Sequence, residues 1–242
     1  MRCLVLSDIH SNLAAFEAVL ADAGPVDHVW CVGDVIGYGP QPNECIERLA
    51  ALPHICVAGN HDWAAIDRLD ISAFNPDATR ACLWTREQLT ASSWAYIENL
   101  PERLVQDAFT IVHGSPRYPI WEYITDPRTA TENLGHFGSN YCFFGHTHKP
   151  VVYPCSEPLR ACQSRELPLG EPLPLGQDRS LINPGGVGQP RDGDFRASYM
   201  ILDLDNGTFE LRRVPYEIEQ TQKLMLSVGL PSRLAWRLSI GW

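Results

Sequence analysis

The chain has 242 residues, 45% hydrophobic and 20% charged, a balance that supports one sizeable core and excludes extensive disorder. With 29 acidic against 19 basic residues the formal charge is −10, and scattered arginines disfavour nucleic acid as the main partner. No apolar run approaches the roughly 18 residues of a membrane span, and polar Ser7-Asp8 comes too soon for a signal peptide.

Residues 1–242 read as one cytoplasmic α/β domain. Arg2 to Leu6 is a short aliphatic strand ending in Ser7-Asp8-Ile9-His10. Leu13, Phe16, Val19 and Leu20 then follow a helical period, stopped at Gly24-Pro25. Val29 to Val32 is a second strand, and it delivers Asp34 among Gly33, Gly37 and Gly39. In open α/β sheets this carboxyl edge is where ligands bind.

Asn43 to Leu52 predicts a helix with Cys45, Ile46 and Leu49 on one face, and His54 to Val57 a strand closing in Gly59-Asn60-His61-Asp62. Trp63 to Asn99 is helical in pattern, broken at Asn75-Pro76, with Phe74, Trp84, Trp94 and Tyr96 suited to core packing or a cap over a site. Leu104-Val105 and Phe109 to Val112 predict paired strands, the second ending at His113-Gly114-Ser115-Pro116. Asp126 before Pro127 starts a helix to Phe137, and Tyr141 to Phe144 is a strand closing in Gly145-His146-Thr147-His148.

Val151 to Tyr153 is strand-like, after which Pro154, Pro158, Pro168, Pro172 and Pro174 mark a surface loop or loose hairpin. Ser180 to Ile182 enters the Gly-rich turn Asn183-Pro184-Gly185-Gly186-Val187-Gly188. Ser198 to Leu204 and Thr208 to Val214 form an antiparallel pair, and Glu217 to Val228 and Ser232 to Leu238 are helical. The last segment carries Leu234, Trp236 and Leu238, which pack on the chain's own domain or reach a neighbouring subunit, so a homo-oligomer stays open. Of eight cysteines, Cys3, Cys31, Cys56 and Cys142 fall in strands as small hydrophobes, while Cys155 and Cys162 lie in a loop where pairing is open.

The strand ends collect Asp8, His10, Asp34, Asn60, His61, His113, His146 and His148. Mixed imidazole and oxygen donors suit Mn, Zn, Fe or Ni rather than Mg or Ca. A catalytic ion takes about three protein ligands plus water, so this many donors imply two divalent transition-metal ions. A pair about 3.5–4 Å apart needs a bridging group, and the two oxygens of Asp34 suit it.

The set Asp8-x-His10, Gly33-Asp34, Gly59-Asn60-His61-Asp62, His113 and Gly145-His146-x-His148 resembles the calcineurin-like metallophosphoesterase superfamily. Gly37-Tyr38-Gly39-Pro40 and the stretch from Asn183 to Arg191 resemble its small bacterial and archaeal phosphodiesterase-like branch. Two departures stand out. Gly186 stands where the branch usually has Ser, and Val35-Ile36-Gly37 replaces the Asp-Arg-Gly of protein phosphatases, which argues against a protein substrate. The resemblance implies two packed mixed β-sheets flanked by helices, an αββα sandwich. It also implies one ion on Asp8, His10, Asp34 and His148 and a second on Asp34, Asn60, His113 and His146.

Metal binding lowers the pKa of water from 15.7 towards about 7, so such a pair would hydrolyse a small-molecule phosphodiester or phosphomonoester at neutral pH. His61, free of ligand duty, is the expected proton donor to the leaving oxygen. Arg117, Arg191 and Tyr38 are candidate substrate contacts, whereas His28, His54 and His136 are read as structural. Two other readings compete: a non-catalytic scaffold on the same fold, and a nuclease.

Overall fold

Arg2–Leu6 forms β1, whose aliphatic side chains point alternately into two buried layers. The computed structural model describes residues 1–156 and 161–242. After β1 the chain winds through α1 (Leu13–Ala23), β2 (His28–Cys31), α2 (Pro42–Ala50) and β3 (His54–Cys56), with the three strands parallel. Asn12 starts α1 by accepting a hydrogen bond from the Ala15 amide, which satisfies an otherwise orphaned donor.

Three short helices follow, α3 (Asn60–Ala65), α4 (Pro76–Gln88) and α5 (Ala91–Glu98). The first begins at Asn60 rather than at Trp63, because the Asp62 carboxylate accepts from the Gly59 amide and closes the first turn. The predicted break at Asn75-Pro76 is the cap and first residue of α4. Next come the hairpin β4 (Arg103–Gln106) and β5 (Phe109–Val112), α6 (Pro127–Asn133) and β6 (Tyr141–Phe143). Where one helix to Phe137 was expected, α6 ends at Asn133 and a single 3-10 turn covers 134–136. The rest is β7 (Val151–Ser156), β8 (Ala161–Cys162), β9 (Leu173–Pro174), β10 (Arg179–Asn183), β11 (Ala197–Asp203), β12 (Thr208–Val214), α7 (Ile218–Ser227) and α8 (Ser232–Arg237).

Among the described residues the strands form two mixed sheets, ordered β3-β2-β1-β11-β12-β9 and β4-β5-β6-β10-β7-β8. Cys3 and Val5 of β1 join Trp30, Phe109, Phe143 and Met200 in a core between the sheets. Leu4 and Leu6, one residue out of phase, pack with Phe16, Val19 and Leu49 beneath the helices of the first sheet. On the second sheet Cys142, Phe144 and Leu181 face outward to Ala130 of α6 and Phe137. Both sheets are thus buried on two faces, and the αββα sandwich expected from the sequence is the observed fold. Each fully buried Leu, Phe or Val contributes about 1.5–3 kcal/mol through apolar area removed from water.

The Pro-rich excursion is more ordered than a loose loop, although Pro158 lies outside the described residues. β8 pairs with β7 on the second sheet, while β9 pairs with β12 and extends the first, so the excursion links both sheets. Pro174 is tolerated there because β9 is an edge strand, where a missing amide breaks no ladder. Cys155 and Cys162 form a disulfide seven residues apart, and the six other cysteines are free and buried. Disulfides are rare in a reducing cytosol, so this bridge pulls against the cytoplasmic expectation. Loop-closure entropy for so short a loop amounts to about 2 kcal/mol. Replacing both residues by Ala is expected to lower unfolding free energy by about that much in a denaturant titration; an unchanged midpoint would exclude a stabilising bridge.

No helix of the described residues is long and apolar enough to cross a membrane. The C-terminal segment packs on its own chain: Leu234, Ala235 and Leu238 are buried with Met225, Ala78 and Tyr38. Trp236 and Trp242 stay 60% and 63% exposed.

Candidate metal centre

The loops after β1, β2, β3, β5, β6 and β10 meet at one end of the sandwich. Asp8, His10, Asp34, His146 and His148 all have positive φ, between 49° and 65°. A non-glycine residue in this region costs on the order of 1–3 kcal/mol and persists only where surrounding structure enforces it. Here the strained turns aim side chains inward rather than along the rim. Gly59 permits a close approach, because a Cβ there would collide with the Asp34 carboxylate.

Two clusters result, Asp8–His10–His148 and Asp34–His113–His146, each compact enough to hold a metal ion. His148 Nε2 lies 3.1 Å from Asp8 Oδ1 and 3.1 Å from His10 Nε2. His113 Nε2 lies 3.2 Å from His146 Nδ1, Asn60 Oδ1 and Asp34 Oδ2. Asp34 Oδ2 is also 3.6 Å from His10 Nε2, so one oxygen faces both clusters. These are spacings of donors around a common centre.

The outer shell fixes which nitrogen points inward. His10 Nδ1, His113 Nδ1 and His148 Nδ1 lie 3.2, 2.9 and 2.5 Å from the carbonyls of Ile36, Val32 and Gln189. Donating that N–H leaves the Nε2 lone pair free for a cation. Ser7 Oγ donates to Asp8 Oδ2 at 2.6 Å, and the His61 amide donates to Asp34 Oδ1 at 2.9 Å. The opposite oxygens, Asp8 Oδ1 and Asp34 Oδ2, have no hydrogen-bond partner among the described residues. Buried acceptors without donors are costly, and cations between the clusters would satisfy them.

Electrostatics agree with that fit. Burial opposes ionisation of Asp8 and Asp34, yet His148 holds Asp8, and His113 holds Asp34, well below the usual carboxylate range. Burial likewise opposes charge on His113, but the Asp34 carboxylate 3.2 Å away outweighs it and raises His113 to about 10. His10, His146 and His148 are pushed down, chiefly by burial.

His61 is buried between rings, 4.3 Å from Tyr38, 5.0 Å from His10 and 4.9 Å from Phe74 by centroid. Its Nδ1 has no hydrogen-bond partner among the described residues. Asp62, its sequence neighbour, does not orient it: that carboxylate accepts from the Gly59 and Ile36 amides and ties two loops together. Burial lowers His61 to about 4, with Asp34 pulling the other way. A base whose folded pKa lies below its unfolded value of about 6.5 supports the fold above that pH and loses its contribution as pH falls. Metal-free protein is therefore expected to lose up to about 3 kcal/mol through His61 on acidification from about 6.5 to about 4. His61→Gln should flatten that part of the pH–stability curve; an unaltered curve would contradict the assignment.

The three predicted substrate contacts fare differently. Tyr38 is buried against His10, at 4.7 Å by centroid, and Arg191 lies over its ring at 5.6 Å. Arg191 Nη2 donates to Gln189 Oε1 at 3.0 Å, its Nε has no partner among the described residues, and its charge bears on His10, His61 and His148. Arg117 pairs with Glu122 at 2.5 Å and Glu132 at 3.0 Å, so two carboxylates already offset its charge. Gly186, where a hydroxyl contact was in doubt, abuts His148, and a side chain there would press that ring. Two aromatics not anticipated line the centre: Tyr123 stacks on His146 at 3.7 Å, and Trp121 meets Phe74 edge-on at 5.7 Å. Both lie in a loop without periodicity, so only their aromatic character signalled them.

The calcineurin-like phosphoesterase superfamily domain matches residues 1–207. The chain belongs to this superfamily. It is 48% identical to a metallophosphoesterase from Sphaerobacter thermophilus of known structure, covering 100% of this chain and 99% of that one with a TM-score of 0.92. A protein of Methanocaldococcus jannaschii, itself uncharacterised, is 34% identical over 98% of this chain and 97% of its own length. A more distant likeness, 35% identity over 77 residues, links 26% of the chain to 27% of a symmetrical bis(5′-nucleosyl)-tetraphosphatase from Pseudomonas putida.

Proposed function

We propose that this superfamily member is a two-metal phosphoesterase acting on phosphodiesters or phosphomonoesters of small molecules, nucleotides included. The observation that carries this is Asp34 Oδ2, buried and set 3.2 Å from His113 Nε2 and 3.6 Å from His10 Nε2, one imidazole from each cluster. Asp8, His10, Asp34 and His148 would hold one ion, and Asp34, Asn60, His113 and His146 the other. Mn, Zn, Fe or Ni bound there would supply a nucleophile at neutral pH and positive charge for the transferring phosphoryl group.

The rest falls to the chain itself. Arg191 grips a non-bridging phosphate oxygen, for which a guanidinium fork is the suited geometry. His61 places an N–H at the leaving oxygen, and a bound phosphate anion favours its charged form over the neutral one that burial imposes. Tyr38 and Phe74 hold the His61 ring between them, and Trp121 and Tyr123 shield the centre from bulk water.

The test is hydrolysis of an activated aryl phosphodiester by protein stripped with a chelator and then reloaded with Mn. The expected result is loss of turnover on stripping and its return on reloading. Full rate in the stripped protein would overturn the reading.

A further inference from the structure

The ligand candidates and His61 are each at most 5% exposed, so a phosphoester reaches them only past the side chains that cover them. On one side the cover is Tyr38, itself buried against His10. The other side is aromatic and open. Tyr123 lies on the His146 ring at 3.7 Å by centroid, while Phe74 lies 4.9 Å from His61 and meets Trp121 at 5.7 Å. Tyr123 and Trp121 stay 48% and 38% exposed, so each ring contacts the lining of the centre and still faces solvent.

Both rings belong to one loop, and that loop is held in place. It leaves β5 at His113 and folds back over Gly114, where a Cβ would press on the main chain of Tyr118, Trp121 and Glu122. Ile120 and Ile124 are buried in separate parts of the core. Between them the Glu122 carboxylate accepts from Ser115 Oγ at 2.7 Å, Asn133 Nδ2 at 2.8 Å and Arg117 Nε at 2.9 Å. With Ile120, Glu122 and Ile124 anchored, Trp121 and Tyr123 are left facing outward. Rings ordered in advance lose little further freedom when a ligand stacks on them.

We propose that Trp121 and Tyr123 form the wall on which the organic group of the substrate stacks, selecting phosphoesters that carry a flat aromatic group, a nucleobase or an aryl ring, over aliphatic ones. This rests on the phosphoesterase reading. An ester with its leaving oxygen at His61 sends its organic group out beside Phe74, and the solvent-facing rings there are Trp121 and, on His146, Tyr123. Aromatic faces pair with flat π-systems and give a puckered or linear chain no matching surface.

The experiment is calorimetry on the Mn-loaded full chain with two pairs of ligands, each pair alike in its phosphate and different in its flat group. One pair is adenosine 5′-monophosphate against ribose 5-phosphate, and the other is phenyl phosphate against cyclohexyl phosphate. Wild type should favour the flat member of at least one pair about tenfold, the order expected of one stacked ring. Preference in the first pair marks a nucleobase as the selected group, and preference in the second marks an aryl ring. Trp121→Leu and Tyr123→Leu keep apolar bulk without a flat face, and at least one should bring the ratio to about twofold or less with affinity for the aliphatic member unchanged. Tyr123→Phe keeps the face and should keep the ratio. If one Leu variant fails to fold, the other decides. No preference in either pair, or a ratio unchanged in the Leu variants, would overturn the wall. The ratio is read from binding, so failure of wild type to hydrolyse the aryl diester would count against the phosphoesterase reading alone.

Discussion

Asp34→Asn is expected to abolish hydrolysis and to strip metal from the protein. The substitution keeps the shape of the side chain but replaces one acceptor oxygen with a donor and removes a charge. Asp34 Oδ1 already accepts from the His61 amide, leaving Oδ2 for both clusters. Removing one charge from a buried ionic cluster typically costs about 3–5 kcal/mol, equivalent to roughly 10²- to 10⁴-fold in metal affinity. Elemental analysis after desalting should find less than one ion per chain. Asp62→Asn is the matched control, since Asp62 is equally buried but spends both oxygens on backbone amides. It should lose stability, on the order of 1–3 kcal/mol for one mismatched buried hydrogen bond, and keep its metals. Equal metal loss in the two variants would show that Asp34 acts through folding rather than as a shared ligand.

The second large effect is expected at His61. His61→Ala should lower kcat by about 10²- to 10⁴-fold, the usual worth of a positioned proton donor, with metal content retained. The signature lies in the leaving group. An aryl alcohol departs readily without a proton and an alkyl alcohol does not, so the variant should lose more rate on an alkyl ester than on an aryl one. Equal losses on both would contradict proton donation and leave His61 as a packing residue among Tyr38, His10 and Phe74. Asn60, one residue earlier, gives a different pattern: Asn60→Ala should weaken metal binding, because its Oδ1 sits 3.2 Å from His113 Nε2 within the cluster.

The arrangement behind both effects was legible in the sequence where apolar runs end in polar side chains. β1, β2, β5 and β6 are short aliphatic or aromatic strands, and each delivers Asp8, Asp34, His113 or His146 to the same end of the molecule. A period of two fixes which residues are buried, and a strand's end fixes where the next side chain appears, so such positions can be read from the chain alone. The remainder depends on distant contacts. Arg117 looked available because its partners Glu122 and Glu132 are held by loop geometry that no local pattern encodes. Trp121 and Tyr123 reach the centre from a stretch with no repeat, and β9 joins the first sheet only because β12 leaves an edge for it.

The central claim is that two cations share Asp34. Its most direct test is an anomalous-difference map from crystals of the protein loaded with Mn. The account predicts two peaks about 3.5–4 Å apart, one beside His10 and His148 and the other beside His113 and His146, with the Asp34 carboxylate between them. A single peak, or two peaks that do not flank Asp34, would contradict it.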